Sequence, residues 1–561
     1  MHQRKVKYHL KENGSFVIEN YNFSKPFASF FPGIAGLYGI PMWVFFVKRG
    51  QGVCSFGTNS KDQPIVEFLP ANKAYQTVFT RGFRTFIKIK KKTNMLFYEP
   101  FHDSLNNLRY NRNNRIIVNC ADLRLEEQNA TLGLHSTVDY FTVPCDNFAA
   151  LVRTLTIQNT SLQSKEVELV DGLPIIIPYG VSNMFLKKLS RTIEAWMGVE
   201  NLENKAPFYR LKVDPTDRPE VIHIEKGNFY VSFCKFGRTA QLLRPIVDPT
   251  CIFGTMDDLS IPYRFLQEPH FRYPAKQILQ SKTPSAFSFI KRTLRKNQTF
   301  TLYSLFGTME HLAKLNKNLS RIASVDYVDA KRNENNRLLG PIMHNTATVS
   351  SLPTFNLYAQ RTFLDNVLRG GLPITLEHHN KEVVYVYSRK HGDLERDYNK
   401  FLTHATYFSQ GYGNYRDVIQ NRRNDIFFNP ALGGANIKSF FNLIQLDGFN
   451  PLVLKGTRYY MDDTVEITKI INRSVAKDKK EFLHSFLSKP FYIGELFMFL
   501  EEHGIVIKDK AKFITEVIEA STKCELAEHK EGFWIDHWTY NLDLLESFLS
   551  VYPEKLKEVF C

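Results

Sequence analysis

The sequence predicts a multidomain chain, β first and α after: an antiparallel β-sandwich over 1–307, a helical linker over 308–350 and a helical half over 351–561. Three observations carry this prediction. Up to about residue 305, short apolar or alternating runs are punctuated by turn residues, the pattern of an antiparallel sandwich. At residue 309 the period changes, and Leu312, Leu315, Leu319 and Ile322 recur at three and four, which is one apolar helix stripe. Beyond Pro353 helical spacing predominates, with long loops. A β half followed by an α half gives stacked domains rather than an alternating α/β fold.

The predicted strands fall at 42–47, 66–68, 115–119, 151–158, 167–170, 221–224, 229–233, 286–290 and 299–306. The stretch 183–197 departs from them, with helical spacing that suggests an inserted helix over a sheet. Residues 27–47 carry no charge and are long enough to span a bilayer. Pro32, Gly33, Gly36, Gly39 and Pro41 would break such a helix repeatedly, so the expectation is a buried loop running into the 42–47 strand. In the second half, helices are expected at 360–368, 395–403, 437–445, 480–486, 493–503 and 511–520. The final residues, with Val559 and Phe560 apolar and no cap, predict the front part of a longer protein.

The chain has 561 residues, too many for one hydrophobic core. Aromatics reach 14%, an enrichment that excludes a disordered chain. The net charge of +15 would suit nucleic acid or an anionic surface, yet the basic residues are scattered. The densest run, Lys88, Lys90, Lys91 and Lys92, alternates with apolar residues and reads as a solvated or edge-protecting strand face. No nucleic-acid and no membrane partner is therefore expected. Seven cysteines lie far apart with no CxxC pair, which argues against a disulfide framework or a zinc ribbon. The N-terminus has no apolar signal core, so the chain reads as cytoplasmic and sequons such as that at Asn129 carry little weight.

Standard phosphate-loop, zinc-protease, nucleophile-elbow and dinucleotide signatures are absent. Two polar clusters remain. The first, 411–430, packs Tyr415, Arg416, Asp417, Gln420, Asn421, Arg422, Arg423 and Asp425 among aromatic Tyr412, Phe427 and Phe428. Amides, carboxylates and guanidinium groups pair with sugar hydroxyls, which both donate and accept, and arginine clamps anions. A structural network of Arg–Asp pairs explains the same residues. The second, 532–545, sets Asp536, His537, Tyr540, Asn541 and Asp543 among Trp534 and Trp538, ahead of a stripe formed by Leu545, Phe548 and Leu549. The expectation is a loop and first turn carrying an aromatic sugar platform, against tryptophan packing as core. Asp365, Asn366 and Arg369 form a further polar helix end that capping or ion pairing also explains, and His378 and His379 read as exposed.

Five segments carry a resemblance: FFPGIAGLYGIPMWVFFVKRGQGVCSFG at 30–57, FLDNVLRGGLP at 363–373, NYRDVIQNRRND at 414–425, FNPLVLKGTRYY at 449–460 and GFWIDHWTYNLDL at 532–544. Through them the chain resembles the phosphorylases of glycoside hydrolase family 94, most of all the 1,2-β-oligoglucan phosphorylases. The resemblance implies an N-terminal β-sandwich, a helical linker and the start of an (α/α)6 barrel. It also implies inverting, reversible phosphorolysis of β-1,2-linked gluco-oligosaccharides to α-glucose 1-phosphate, with inorganic phosphate as co-substrate, no other cofactor and no metal. A homodimer is the family's common state.

Carried over residue by residue, Arg416, Asp417 and Gln420 match the family's Arg-Asp-x-x-Gln sugar motif, and Tyr415 precedes it. The family often has Asp where this chain has Asn421. Trp534, Asp536 and His537 are expected in or beside the same cleft. The family's general acid, an Asp in a Trp-Asp-Asn-like context, and its phosphate-holding His and Thr groups have no match here. The expectation is therefore an enzyme incomplete without a downstream segment or chain, with Asp536 the candidate acid if it acts unaided. Competing readings are a noncatalytic carbohydrate-binding or scaffolding protein, a cellobiose- or laminaribiose-type phosphorylase, and a nucleic-acid protein resting on charge alone.

Overall fold

The computed structural model describes residues 5–91, 94–103, 108–216, 218–236, 239–377, 381–389, 402–462, 464–474, 479–529 and 535–559. The chain divides into two compact units. One holds most of residues 1–339, and the other holds 340–392, 400–561 and the short segment Gly36–Pro41. The division falls inside the helix Val325–His344, between Leu339 and Gly340 and beside Pro341.

The first unit is a sandwich of antiparallel sheets, as expected. Its large sheet orders Lys7–Leu10, Phe16–Glu19, Arg112–Val118, Asp122–Asn129 and Leu134–Thr142. It continues through Ala149–Asn159, Thr299–Met309, Gly227–Phe236, Phe208–Leu211 and Met197–Glu200, with Thr239–Leu242 alongside Gly227–Phe236. A five-stranded sheet runs Pro245–Ile246, Ala286–Leu294, Lys165–Leu173, Arg84–Lys91 and Asn94–Tyr98. A third sheet of four strands includes Ala28–Phe30 and Trp43–Val47, joined by the loop expected in the uncharged 27–47 stretch. Strand sequences alternate because successive side chains point to opposite faces. On Ala149–Asn159, Val152 faces outward and Arg153 faces the second sheet.

The outward face of the large sheet packs Val152, Leu305, Val231 and Phe233 against Leu315, Ile322 and Val328. These last come from the helices Leu312–Ile322 and Val325–His344, so the predicted linker stripe covers the sandwich. Asp146 secures the helices by accepting from both terminal nitrogens of Arg321 (2.8 and 2.9 Å) and from the Tyr327 hydroxyl (2.8 Å). The far face of the five-stranded sheet is covered by Cys251, Ile252, Phe253 and Phe265 from two short helices.

Between the two sheets lies a polar layer. Register aligns Tyr140, Arg153, Ser304 and Ser232 across the large sheet, and Thr85, Asp171 and Ser288 across the smaller one. Arg153 bonds Asp171 and also donates to Gln51 Oε1 (2.6 Å) and the Tyr140 hydroxyl (3.2 Å), while Thr85 donates to Asp171 at 2.6 Å. Neighbouring Gly172, at φ 149°, lets the strands close, since a Cβ there would stand 2.0 Å from the Ala286 carbonyl oxygen.

Several expectations are corrected. Lys88 is not on a solvated edge: its strand is interior, its side chain is buried, and its ammonium lies 3.9 Å from Glu168. Lys90 on the same strand is solvated and pairs with Glu166. Residues 221–224 form no strand, only an isolated bridge from Val213 to His223. The 183–197 stretch is a short helix, Asn183–Lys188, followed by a 3₁₀ segment, Ser190–Trp196. Asn129 is fully buried, which removes that sequon from solvent.

The second unit is mixed rather than mainly helical. It contains the helices Pro353–Gly370, Tyr415–Arg422, Ala435–Phe441, Thr464–Ser474, Lys480–Leu487, Ile493–Glu502, Lys510–Glu519 and Asp536–Val551. Set among them are the hairpin Leu372–Glu377 and Lys381–Val386, and a sheet of Gly413–Asn414, Val453–Tyr460 and Thr522–Glu528. The predicted 395–403 helix falls largely outside the described residues, and Leu402–Thr403 is extended. Among the described residues, no helix is long and apolar enough to cross a membrane.

Candidate functional site

Helical spacing sorts the motif 414–425 into two faces. Tyr415, Val418 and Ile419 point inward and are buried, whereas Arg416, Asp417 and Gln420 lie on the other side of the helix Tyr415–Arg422. The helix Asp536–Val551 packs against it through an inward stripe of His537, Asn541, Leu544 and Phe548. The polar residues of the second cluster are thus in the helix itself, in its first two turns, and not in a preceding loop.

Two segments 120 residues apart meet here. The Arg416 guanidinium lies 3.4 Å from Asp536 and 3.6 Å from Asp417, and all three side chains are between 32% and 44% exposed. Asn421 Nδ2 donates back to the Asp417 carbonyl at 2.6 Å. Arg423 pairs with Asp543 on the same seam. Gln420 is partly exposed beside them.

Beneath this surface the contacts are buried. The Tyr415 hydroxyl donates to Asn541 Oδ1 at 2.8 Å, and the Tyr415 ring stacks on His537 at 5.3 Å. His537 Nδ1 bonds Asn450 Oδ1 at 2.6 Å. Burial holds the His537 imidazole below its ordinary range, ahead of the smaller effects of Asp536, Arg416 and Asp417. Tyr415 and His537 therefore lie beneath that surface, with the tyrosine hydroxyl already committed to Asn541. The Nδ2 atoms of Asn450 and Asn541 are buried without a hydrogen-bond partner among the described residues.

Trp534 lies outside the described residues, as do His378 and His379. Arg369 and Asp365 form an exposed pair at 3.0 Å within one helix, so this polar end is an intrahelical contact. Phe427 and Phe428 are exposed. No group of three or more metal-ligating side chains occurs among the described residues.

Asp425 belongs to a different set of neighbours. It accepts from the Tyr385 hydroxyl at 2.8 Å, and that hydroxyl accepts from Asn436 at 2.7 Å. Burial pushes the Asp425 carboxyl up to about 7, against the opposing pulls of Tyr385 and Arg422. An unfolded aspartate titrates near 4. Between those values the folded chain keeps a proton that the unfolded chain releases, so this group's contribution to stability declines as pH rises through the window. Asp425→Asn should therefore gain thermal stability relative to the parent between pH 5 and pH 8. A Tm difference that stays flat across that range would show that the carboxyl is not so shifted.

No family model matches the chain, and no curated protein matches it. Among solved structures, it is similar to a protein provisionally assigned as a kojibiose phosphorylase from the human microbiome, at 8% identity and a TM-score of 0.30. That match covers 79% of this chain and 49% of the other, so the chain spans about half of its length. It is also similar to a galactose mutarotase-like protein from Clostridium acetobutylicum, at 8% identity and a TM-score of 0.24, over 55% of this chain and 98% of that one. Likeness at these scores carries no argument about family or activity.

Proposed function

We propose that the second unit carries the donor-sugar side of an inverting phosphorylase acting on β-1,2-linked gluco-oligosaccharides. What supports the reading is the meeting of the 414–425 and 535–544 segments, which puts Arg416, Asp417 and Asp536 on one accessible surface. These side chains offer both donors and acceptors to sugar hydroxyls. The buried Tyr415–Asn541 and His537–Asn450 bonds hold the two helices in register beneath them. Under this reading Arg416, Asp417, Gln420 and Asn421 bind the sugar, Tyr415 and His537 position them, and the helices around them begin an (α/α)6 barrel.

In the reaction, an acid protonates the leaving glycosidic oxygen while phosphate attacks the anomeric carbon from the opposite face, giving the α-phosphate. Asp536 is the candidate acid only if this chain turns over unaided. The deciding assay is phosphate release from α-glucose 1-phosphate with glucose or sophorose as acceptor, run beside sophoro-oligosaccharide binding. Release abolished by Arg416→Ala would make the chain a phosphorylase in itself. Binding without release would make it a sugar-binding part that needs an acid from elsewhere. Neither binding nor release would sink the proposal.

A further inference from the structure

Arg422 stands where the helix Tyr415–Arg422 calls for an aliphatic side chain, on the inward face with Tyr415, Val418 and Ile419. Its Nε donates to the Gly370 carbonyl at 2.6 Å, and its guanidinium carbon lies 3.5 Å from the Tyr385 ring centroid. These two contacts fix the plane of the group. Its terminal amino groups make no hydrogen bond among the described residues. Arg422 lines a polar pocket of about 40 Å³, together with Gln410, Ser439, Thr457, Lys523 and Glu525. That is room for roughly three waters, the size of a carboxylate or phosphoryl head. Burial lowers the pKa of Arg422, because neighbouring negative charge does not fully offset its lost hydration.

Charge around the pocket is arranged to leave Arg422 available. Glu525 accepts from Ser439 at 2.6 Å and pairs with Lys523 at 3.2 Å, and Lys523 also pairs with Glu382 at 2.7 Å. Gln410 Oε1 accepts from the Thr457 amide. The pocket shares Val383, Ser439, Lys523 and Glu525 with a larger recess of about 660 Å³, whose lining adds Glu382, Lys438, Asn442 and Cys524. A planar guanidinium fork suits a two-oxygen anion, while carboxylate, amide and ammonium groups around it suit hydroxyls.

We propose that this recess binds a small polyhydroxylated anion, a sugar acid or a sugar phosphate. Its charged head would sit on the terminal amino groups of Arg422, and its hydroxyls would reach Glu382, Lys438 and Asn442. The site lies on the opposite face of the helix from Arg416, Asp417 and Gln420, so it stands or falls separately from the glucan reading.

The partly buried Cys524 on the recess wall supplies the test. Alkylation of the full chain by iodoacetamide is followed by peptide mass mapping with gluconate, glucose 6-phosphate, inorganic phosphate or glucitol present. The expected result is at least fivefold slower Cys524 labelling with gluconate or glucose 6-phosphate, identifying which head group is taken. Glucitol and inorganic phosphate should protect far less, and labelling of Cys120 and Cys145 should not change. Arg422→Lys should lose the protection with Cys120 and Cys145 labelling as in the parent, and Arg416→Ala should retain it. Equal labelling under all conditions would overturn the site. Protection by glucitol or by phosphate alone would overturn the ligand class, and protection surviving Arg422→Lys or lost in Arg416→Ala would overturn the placement.

Discussion

Asp171→Ala should cost the sandwich about 3–5 kcal/mol, a Tm loss of roughly 5–15 °C, because it strands a buried guanidinium. Arg153 is fully buried between the two sheets, and Asp171 is the carboxylate that faces it. The remaining partners, Gln51, Thr85 and Tyr140, are neutral and cannot replace the lost charge. The π faces of Phe83 and Tyr140, at 5.1 and 5.8 Å, offer only weak compensation. Removing both ends should hurt less than removing one, so Arg153→Met with Asp171→Leu should recover part of the loss. An exposed pair supplies the contrast: Lys469→Ala, which removes a half-exposed partner of Glu466, should change stability by less than about 1 kcal/mol. Calorimetry or denaturant unfolding of the four proteins decides the matter. A cost below about 1 kcal/mol for Asp171→Ala would mean that water reaches the layer and that Arg153 is not desolvated.

That polar layer also marks the limit of what the sequence made legible. Alternation identified Ala149–Asn159 and Thr299–Met309 as strands, because each buries one face on helices and the other on a second sheet. The same alternation leaves the direction of Arg153 open, since a period of two does not say which face is wet when both are covered. Lys88 misled for the same reason: its strand is interior, and its charge is met by Glu168 from the adjacent strand, a partner about 80 positions away in sequence. In the second unit, helical periodicity found Ile493–Glu502 and Lys510–Glu519 but not the sheet of Gly413–Asn414, Val453–Tyr460 and Thr522–Glu528. Those strands are short or irregular, with a register shift between Leu454 and Thr457, so no clean alternation announces them. The candidate site was legible as two polar segments. Their meeting was not, because Arg416 and Asp536 are joined only by tertiary packing. Arg422 stood in the sequence as one more arginine of a charged run, and its inward direction follows only once the helix phase is fixed by Tyr415 and Ile419.

Arg416→Ala should separate binding from stability. If Arg416 holds a sugar, its loss removes charge-assisted hydrogen bonds worth about 1.5–3 kcal/mol, a drop in sophoro-oligosaccharide affinity of roughly ten- to a hundredfold. Its stability cost should be small, because Arg416 and Asp536 are 44% and 42% exposed and such pairs contribute about 0–1 kcal/mol. Asn541→Ala tests the opposite case. Asn541 is fully buried and accepts the Tyr415 hydroxyl, so truncation should cost about 1–3 kcal/mol of stability. The hydroxyl has a fallback in the Phe440 carbonyl at 3.3 Å, which keeps the loss at the lower end. Affinity should fall in Asn541→Ala only as far as the helix Asp536–Val551 shifts beneath Asp536. The two variants therefore form a crossed pair, read by isothermal titration and thermal unfolding on the same samples. If Arg416→Ala lowers Tm by several degrees and leaves affinity untouched, the arginine is one strut in a network of ion pairs. The sugar site would then have to be sought away from the 414–425 segment.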